Sequence, residues 1–243
     1  MSPADTSPSG RRGRALRRLA VVVATVVITG AFASASSDAH SRNDSLDLTS
    51  IAISSSAQPQ VRDDAFDTER LRGRTVDAET SSAANAECDG CTATATTLGV
   101  VYVDRGRATK LDNVATAWNS CKDCRTASVS VQVVVVRRAQ KVTANNRALA
   151  LNAACEGCQA SAAAYQIVML EPKGKRLSGR DVAALRDWVD AQAAAMSAAP
   201  APRSMLRSAP GAPGAPLDQL EDRVGFALGG AKTLDRSADV QTG

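Results

Sequence analysis

The sequence predicts an α/β or α+β domain of about three repeats, each 33–34 residues long. Each repeat would run short helix, Cys-x-x-Cys turn, strand, and a C-terminal helix would follow the last. Three observations lead there. Cys88/Cys91, Cys121/Cys124 and Cys155/Cys158 recur at intervals of 33 and 34 residues. Their flanks recur with them, as a repeated supersecondary unit requires. The residues after each pair are rich in β-branched types, whereas those before it are rich in Ala and Leu.

The chain opens with the pattern of an export signal. Arg11, Arg12, Arg14, Arg17 and Arg18 precede an apolar run from Leu19 to about Ala33. Ala31-Phe32-Ala33 and Ala33-Ser34-Ala35 both fit the small-x-small cleavage rule. Residues 1–35 therefore read as a signal peptide, with retention as an N-terminal anchor through residues 19–35 as the alternative. Those residues carry five Arg and one Asp, which is +4, and the whole chain is +4. The mature part is near neutral. Its charge gives no reason to expect a nucleic-acid partner, and a membrane partner is expected only through an uncleaved N-terminal segment.

Residues 36–72 are rich in Ser, Asp, Ala and Thr and read as a flexible linker. The alternation Leu46-x-Leu48 and Ile51-x-Ile53 is strand-like and supports an ordered edge element instead.

Residues 73–198 read as the repeat domain with a capping helix. The third unit has one more residue between Asn152 and Cys155 than the second has between Asn119 and Cys121. Such an insertion would rotate a helix or flip a strand, but a turn absorbs it. Asp89-Gly90, Lys122-Asp123 and Glu156-Gly157 inside the motifs agree with a turn. Thr92–Val103, Arg125–Val136 and Gln159–Leu170 read as strands, the second ending in a wholly apolar run typical of a buried one. Leu111–Asn119 and Asn146–Ala154 suit short helices. They also alternate, so all-β hairpins are a rival, and a stripe through Cys121, Cys124, Ser128, Val131 and Val135 keeps all-α repeats open. Ser178 can N-cap a helix to about Ala198 with Val182, Leu185, Val189 and Ala193 on one face. Residues 199–243 read as a mostly disordered tail with a short helix over Leu217–Leu228.

The stretch Asn113–Val136, with its Asn-x-Ala-x-Ala pattern before Cys121-x-x-Cys124 and Gln132 after it, resembles a repeat of exported proteins from actinobacteria and related bacteria. Asn146–Leu170 resembles it too, and the likeness covers about Gly73 to Ala198. The first unit departs most, with Gly99 where Gln132 and Gln166 stand. The resemblance implies export and a shared fold but no established activity. Some members carry the label "peptide zinc metalloprotease". That label does not carry over, because the chain has no His-Glu-x-x-His and its one histidine is His40.

The chemistry-bearing residues are few. With only His40, no His-based triad or His zinc ligand is available to the repeat domain. Thr92, Arg125 and Gln159 follow the motifs, which excludes covalent haem attachment. The six cysteines are expected as disulfides, an even set in an exported protein, with connectivity left open. A Cys₄ zinc site would leave one pair unmatched. Asp89, Asp123 and Glu156 beside the thiols disfavour the thiolate that exchange chemistry needs. No catalytic, cofactor or metal residues are assigned. Asn85, Asn119, Asn152, Gln132 and Gln166 can form a ladder between repeats or cap turns. Trp118 and Trp188 are expected in or half in the core. Asp181, Asp187 and Asp190 are expected on a solvated helix face.

The expected function is an exported, disulfide-stabilised structural or interaction protein rather than an enzyme, with a cell-envelope or protein partner. The alternatives are a thiol–disulfide or zinc-handling protein, or an accessory to a peptidase system.

Overall fold

The computed structural model describes residues 44–138, 141–198 and 214–243. The export segment expected over residues 1–35 lies outside them. Eight strands come first: β1 Ser45–Ser54, β2 Gln60–Leu71, β3 Thr75–Ala86, β4 Thr92–Val103, β5 Ala108–Asn119, β6 Arg125–Val136, β7 Lys141–Asn152 and β8 Gln159–Leu170. Helices α1 Gly179–Ala198 and α2 Gly214–Ala227 and strand β9 Lys232–Thr242 follow.

The odd strands form one sheet in the order β1-β3-β5-β7, and the even strands another in the order β2-β4-β6-β8-β9. Pairing from β1 to β8 is parallel within each sheet. The chain therefore winds as a β-solenoid of four coils, each with one strand in either sheet. This corrects the expected repeat of helix, turn and strand. The Ala-rich segments before the cysteines are β5 and β7, not helices. Their alternation was the governing signal. Ala115 and Ala117 point into the space between the sheets, while Val114, Thr116 and Trp118 point out. Alanine is there because the sheets approach closely, not because it favours helix.

The linker expected over residues 36–72 is corrected as well. Ser45–Leu71 forms β1 and β2, the first coil, in unbroken register with β3 and β4. It lacks a cysteine pair, and a turn at Ser55–Gln58 closes its corner instead.

The interior divides along the strands. Towards the Cys-x-x-Cys corner it is small, with Ala52, Ala84, Ala93 and Ala95 in one cluster and Ala115, Ala117, Ala160 and Ala162 in another. Towards the opposite corner it is larger, with Leu46, Leu71, Val101, Leu111, Val134 and Val168. Burial of this apolar area is the main favourable term.

The expected cap helix also lies elsewhere. α1 packs flat on β4 and β6, on the outer face of the second sheet, and α2 packs against β8 and β9. Leu185, Trp188, Val189 and Ala193 of α1 and Leu220 and Val224 of α2 join Val131, Val133, Tyr165 and Ile167 in one core. Ser178 does cap α1. Its Oγ accepts the Asp181 N–H at 3.2 Å, and Asp181 accepts the Ser178 N–H at 2.9 Å. In the tail, the short helix expected over Leu217–Leu228 is α2, the polar end expected to be disordered supplies β9, and residues 199–213 lie outside the described residues. β9 is antiparallel to β8 and extends the second sheet.

Both ends of the first sheet are blocked by a carboxylate from the second. Asp63 of β2 accepts the Ile51 N–H at 2.7 Å, and Asp239 of β9 accepts the Ala148 N–H at 2.8 Å. Inward-reaching charges of this kind keep exposed edges from pairing with other chains.

Candidate interaction surface

The three cysteine pairs stack along one corner of the solenoid, where the chain passes from the first sheet to the second. Each closes on itself: Cys88–Cys91, Cys121–Cys124 and Cys155–Cys158, with Cα separations of 5.3, 6.0 and 5.8 Å. No described cysteine is free. The third residue of each motif, Gly90, Asp123 and Gly157, has φ of 72°, 54° and 70°. That left-handed turn explains why Gly or Asp stands there. The inserted residue of the third motif is absorbed in the same corner, where Ala154 has φ of 50°.

Neighbouring corners are bonded to one another. The Gly90 N–H donates to Lys122 O and the Asp123 N–H to Glu156 O, both at 2.8 Å. Asp89 accepts the Lys122 N–H, also at 2.8 Å. The backbone of the motifs and the Asp89 carboxylate thus hold neighbouring turns together. Cys91 and Cys124 are fully buried, and Cys88, Cys121 and Cys158 pack around them. Among the described residues, no group of three or more His, Cys, Asp or Glu could hold a metal ion.

Polar side chains sit between the sheets in register columns. Gln166 Nε2 donates to Gln132 Oε1 at 2.8 Å, and Asn119 Nδ2 to Asn152 Oδ1 at 2.8 Å. Asn113 Nδ2 donates to Asn146 Oδ1 at 2.7 Å and to the Tyr165 carbonyl at 3.0 Å. These amides bond one another and the backbone within the fold, while Asn119 Oδ1 and Gln166 Oε1 accept no hydrogen bond from the described residues. The last ladder was missed in the sequence, although Asn113 and Asn146 stand 33 residues apart. In the register column of Gln132 and Gln166, the second coil places Gly99 and the first Asp67. A Cβ at Gly99 would run into Thr80 Cγ2, so glycine is required. Trp188 lies in the core, with its ring edge-on to Tyr165 at 5.6 Å. Burial pushes the Tyr165 hydroxyl up to about 12. Asp190 pairs with Arg62 at 2.6 Å.

The two sheets differ in what covers them. α1 and α2 cover the second. Among the described residues nothing covers the outer face of the first, a grid of four strands in parallel register. Two of its rows, next to the cysteine corner, are mostly apolar. One runs Ile51, Ala83, Thr116, Leu149 and the other Ile53, Asn85, Trp118, Leu151. The five bulky members, Ile51, Ile53, Trp118, Leu149 and Leu151, are between 40 and 53% exposed. Trp118, expected in or half in the core, therefore stands on this face. The next row carries Thr49, Ser81, Val114 and Arg147, and beyond it come Asp47, Glu79, Asp112 and Asn145. Arg147 pairs with Asp112 at 3.0 Å. A contiguous exposed apolar strip with a charged border is the usual form of an interaction site.

Concave sites are less developed. The crevice between α1 and α2, lined by Leu177, Leu185, Val224 and Phe226, encloses about 180 Å³. Ligand pockets usually hold roughly 300–1,000 Å³. A wider, open depression of about 410 Å³ lies beside Lys173, Lys175 and Lys232. Its one carboxylate, Glu171, is occupied by the backbone N–H groups of Lys173 and Lys175. No described helix is long and apolar enough to cross a membrane.

No family model matches the chain, and neither a curated protein nor a solved structure does.

Proposed function

We propose that this protein is an exported scaffold of the cell envelope or extracellular space that binds a partner through the open face of its first sheet. The asymmetry between the sheets carries the reading. One sheet is covered by two helices, while the other leaves Ile51, Ile53, Trp118, Leu149 and Leu151 exposed in adjacent rows. Leaving such side chains in water forgoes stabilisation of about 25 cal/mol per Å², which a binding partner would recover. The cysteines support extracytoplasmic residence, since disulfides persist in oxidising compartments. The resemblance of Asn113–Val136 to exported bacterial repeat proteins supports it as well. Each staple closes a short loop and adds on the order of 2 kcal/mol. That helps a domain whose interior near the corner is mostly alanine.

The test is retention on the envelope fraction of the producing cell. The Leu149→Lys, Leu151→Lys double variant changes only outward positions. It is expected to melt within about 3 °C of the native protein and to be lost from the envelope. Unchanged retention would contradict the reading. Thiol–disulfide turnover by the native protein would favour the redox alternative.

A further inference from the structure

Resting on the reading of the open sheet face as a binding surface, we propose that its partner is a second copy of this chain. The two faces would pack about a two-fold axis parallel to the strands, between β3 and β5. The pattern of side chains selects this arrangement. The axis keeps each row opposite itself while exchanging β1 with β7 and β3 with β5. The apolar rows then meet, with Ile51 against the second copy's Leu149 and Ile53 against its Leu151. In the middle columns Ala83 meets Thr116 and Asn85 meets Trp118, so bulky pairs flank smaller ones.

The charges agree with the same axis. The outer positions of β1 and β3 carry Asp47, Asp77 and Glu79, whereas those of β5 and β7 carry Lys110, Lys141 and Arg147 together with one acid, Asp112. Exchange of columns sets Asp77 opposite Lys110, twice per dimer. It sets Asp47 diagonal to Arg147. Glu79 faces Asp112, whose charge Arg147 already balances at 3.0 Å. An axis perpendicular to the strands would reverse the rows and face the apolar ones with the charged ones, Ile51 with Asp47 and Trp118 with Lys110. Charges buried against apolar side chains are costly, so the order of the rows selects the axis parallel to the strands.

The area is adequate. Four strands at about 4.8 Å and about twelve residues at 3.3 Å give a face of about 750 Å². A standard stable interface buries about 800 Å² per partner.

Sedimentation equilibrium of the purified full chain tests this. The native protein is expected to dimerise in the micromolar range, and Leu149→Lys to weaken the dimer by tenfold or more. Asp77→Lys and Lys110→Asp are each expected to weaken it several-fold. The double variant Asp77→Lys, Lys110→Asp exchanges the charges and is expected to restore it. Asp77 and Lys110 are also register neighbours within one sheet, so the rescue reports the axis only where the thermal melts of all three variants are unchanged. A monomer at about 100 μM, a dimer indifferent to Leu149→Lys, or a double variant weaker than either single one would each overturn the proposal. A monomer whose envelope retention still depends on Leu149 and Leu151 would reject self-association while leaving the binding-surface reading standing.

Discussion

Asn146 accepts, at 2.7 Å, the side-chain amide of Asn113 one coil away, inside the space between the sheets. Asn113 is the better connected of the two. Its Oδ1 accepts from Thr80 Oγ1 at 2.7 Å and Ser130 Oγ at 2.6 Å, and its Nδ2 also reaches the Tyr165 carbonyl at 3.0 Å. One fully buried amide thus joins three coils and both sheets. Removing it strands several buried polar groups at once, each of which costs free energy when unpaired.

Asn113→Ala is therefore expected to lower stability by about 3 kcal/mol or more, against about 1–2 kcal/mol for the half-buried Asn146→Ala. Denaturant unfolding measures both. Equal losses would show that the network is not centred on Asn113.

Gly99 and Thr80 form a steric pair. The Thr80 methyl occupies the place of a Cβ at Gly99. Gly99→Ala is expected to cost about 1–3 kcal/mol through overpacking. Thr80→Ser removes that methyl and keeps the hydroxyl that donates to Asn113, so the double variant should recover most of the loss. A double-mutant cycle by denaturant unfolding would expose the coupling. Additive losses would contradict it.

Both tyrosines of the chain are buried with raised pKa values, Tyr102 chiefly by burial and Tyr165 to about 12 by the same cause. A raised pKa means that the native state holds its proton longer than the unfolded state. Stability is therefore full below about pH 10 and falls as pH rises from there through about 12, by roughly 2–3 kcal/mol for Tyr165. Tyrosinate absorbance of the native protein should stay low in this window and rise together with unfolding. Ionisation near pH 10 with the fold intact would count against this.

Asp181 works in the opposite direction. Hydrogen bonds from Ser178 hold its carboxyl below the ordinary value. Its contribution to the α1 cap is present at neutral pH and is lost as pH falls through the lowered value.

Asp239 protects the end of the solenoid by accepting the Ala148 N–H at 2.8 Å. Asp239→Ala frees an edge donor and shortens the barrier to strand addition. Concentration-dependent light scattering should increase, while the melting temperature changes little. Scattering identical to that of the native protein would argue that β9 alone suffices as a cap.

Much of the coil was readable in the chain, and the misreadings have physical causes. The 33–34-residue spacing, the strands after each motif and the turns inside it all follow from local chemistry that the fold keeps. β5 and β7 were read as helix because alanine favours helices in isolation. Here Ala115, Ala117 and Ala148 are set by the narrow gap between sheets, a tertiary constraint invisible in a propensity. The first coil is half legible: the alternation Leu46-x-Leu48 and Ile51-x-Ile53 marks β1, but Ser55–Gln58 replaces the cysteine pair that marks the period. β9 was invisible because Asp235, Arg236, Ser237 and Asp239 make it polar, as suits an end strand. The exposed face could not be located until the register was known. Ile51, Trp118 and Leu149 are far apart in sequence and become neighbouring rows only through parallel pairing.

Each of the three Cys-x-x-Cys motifs closes a corner of the β-solenoid with its own disulfide. Mass mapping of the unreduced protein, digested between the motifs, tests it directly. Three local disulfides are expected, Cys88–Cys91, Cys121–Cys124 and Cys155–Cys158, with no thiol that labels before unfolding. Links between motifs, or thiols that label in the folded protein, would contradict it.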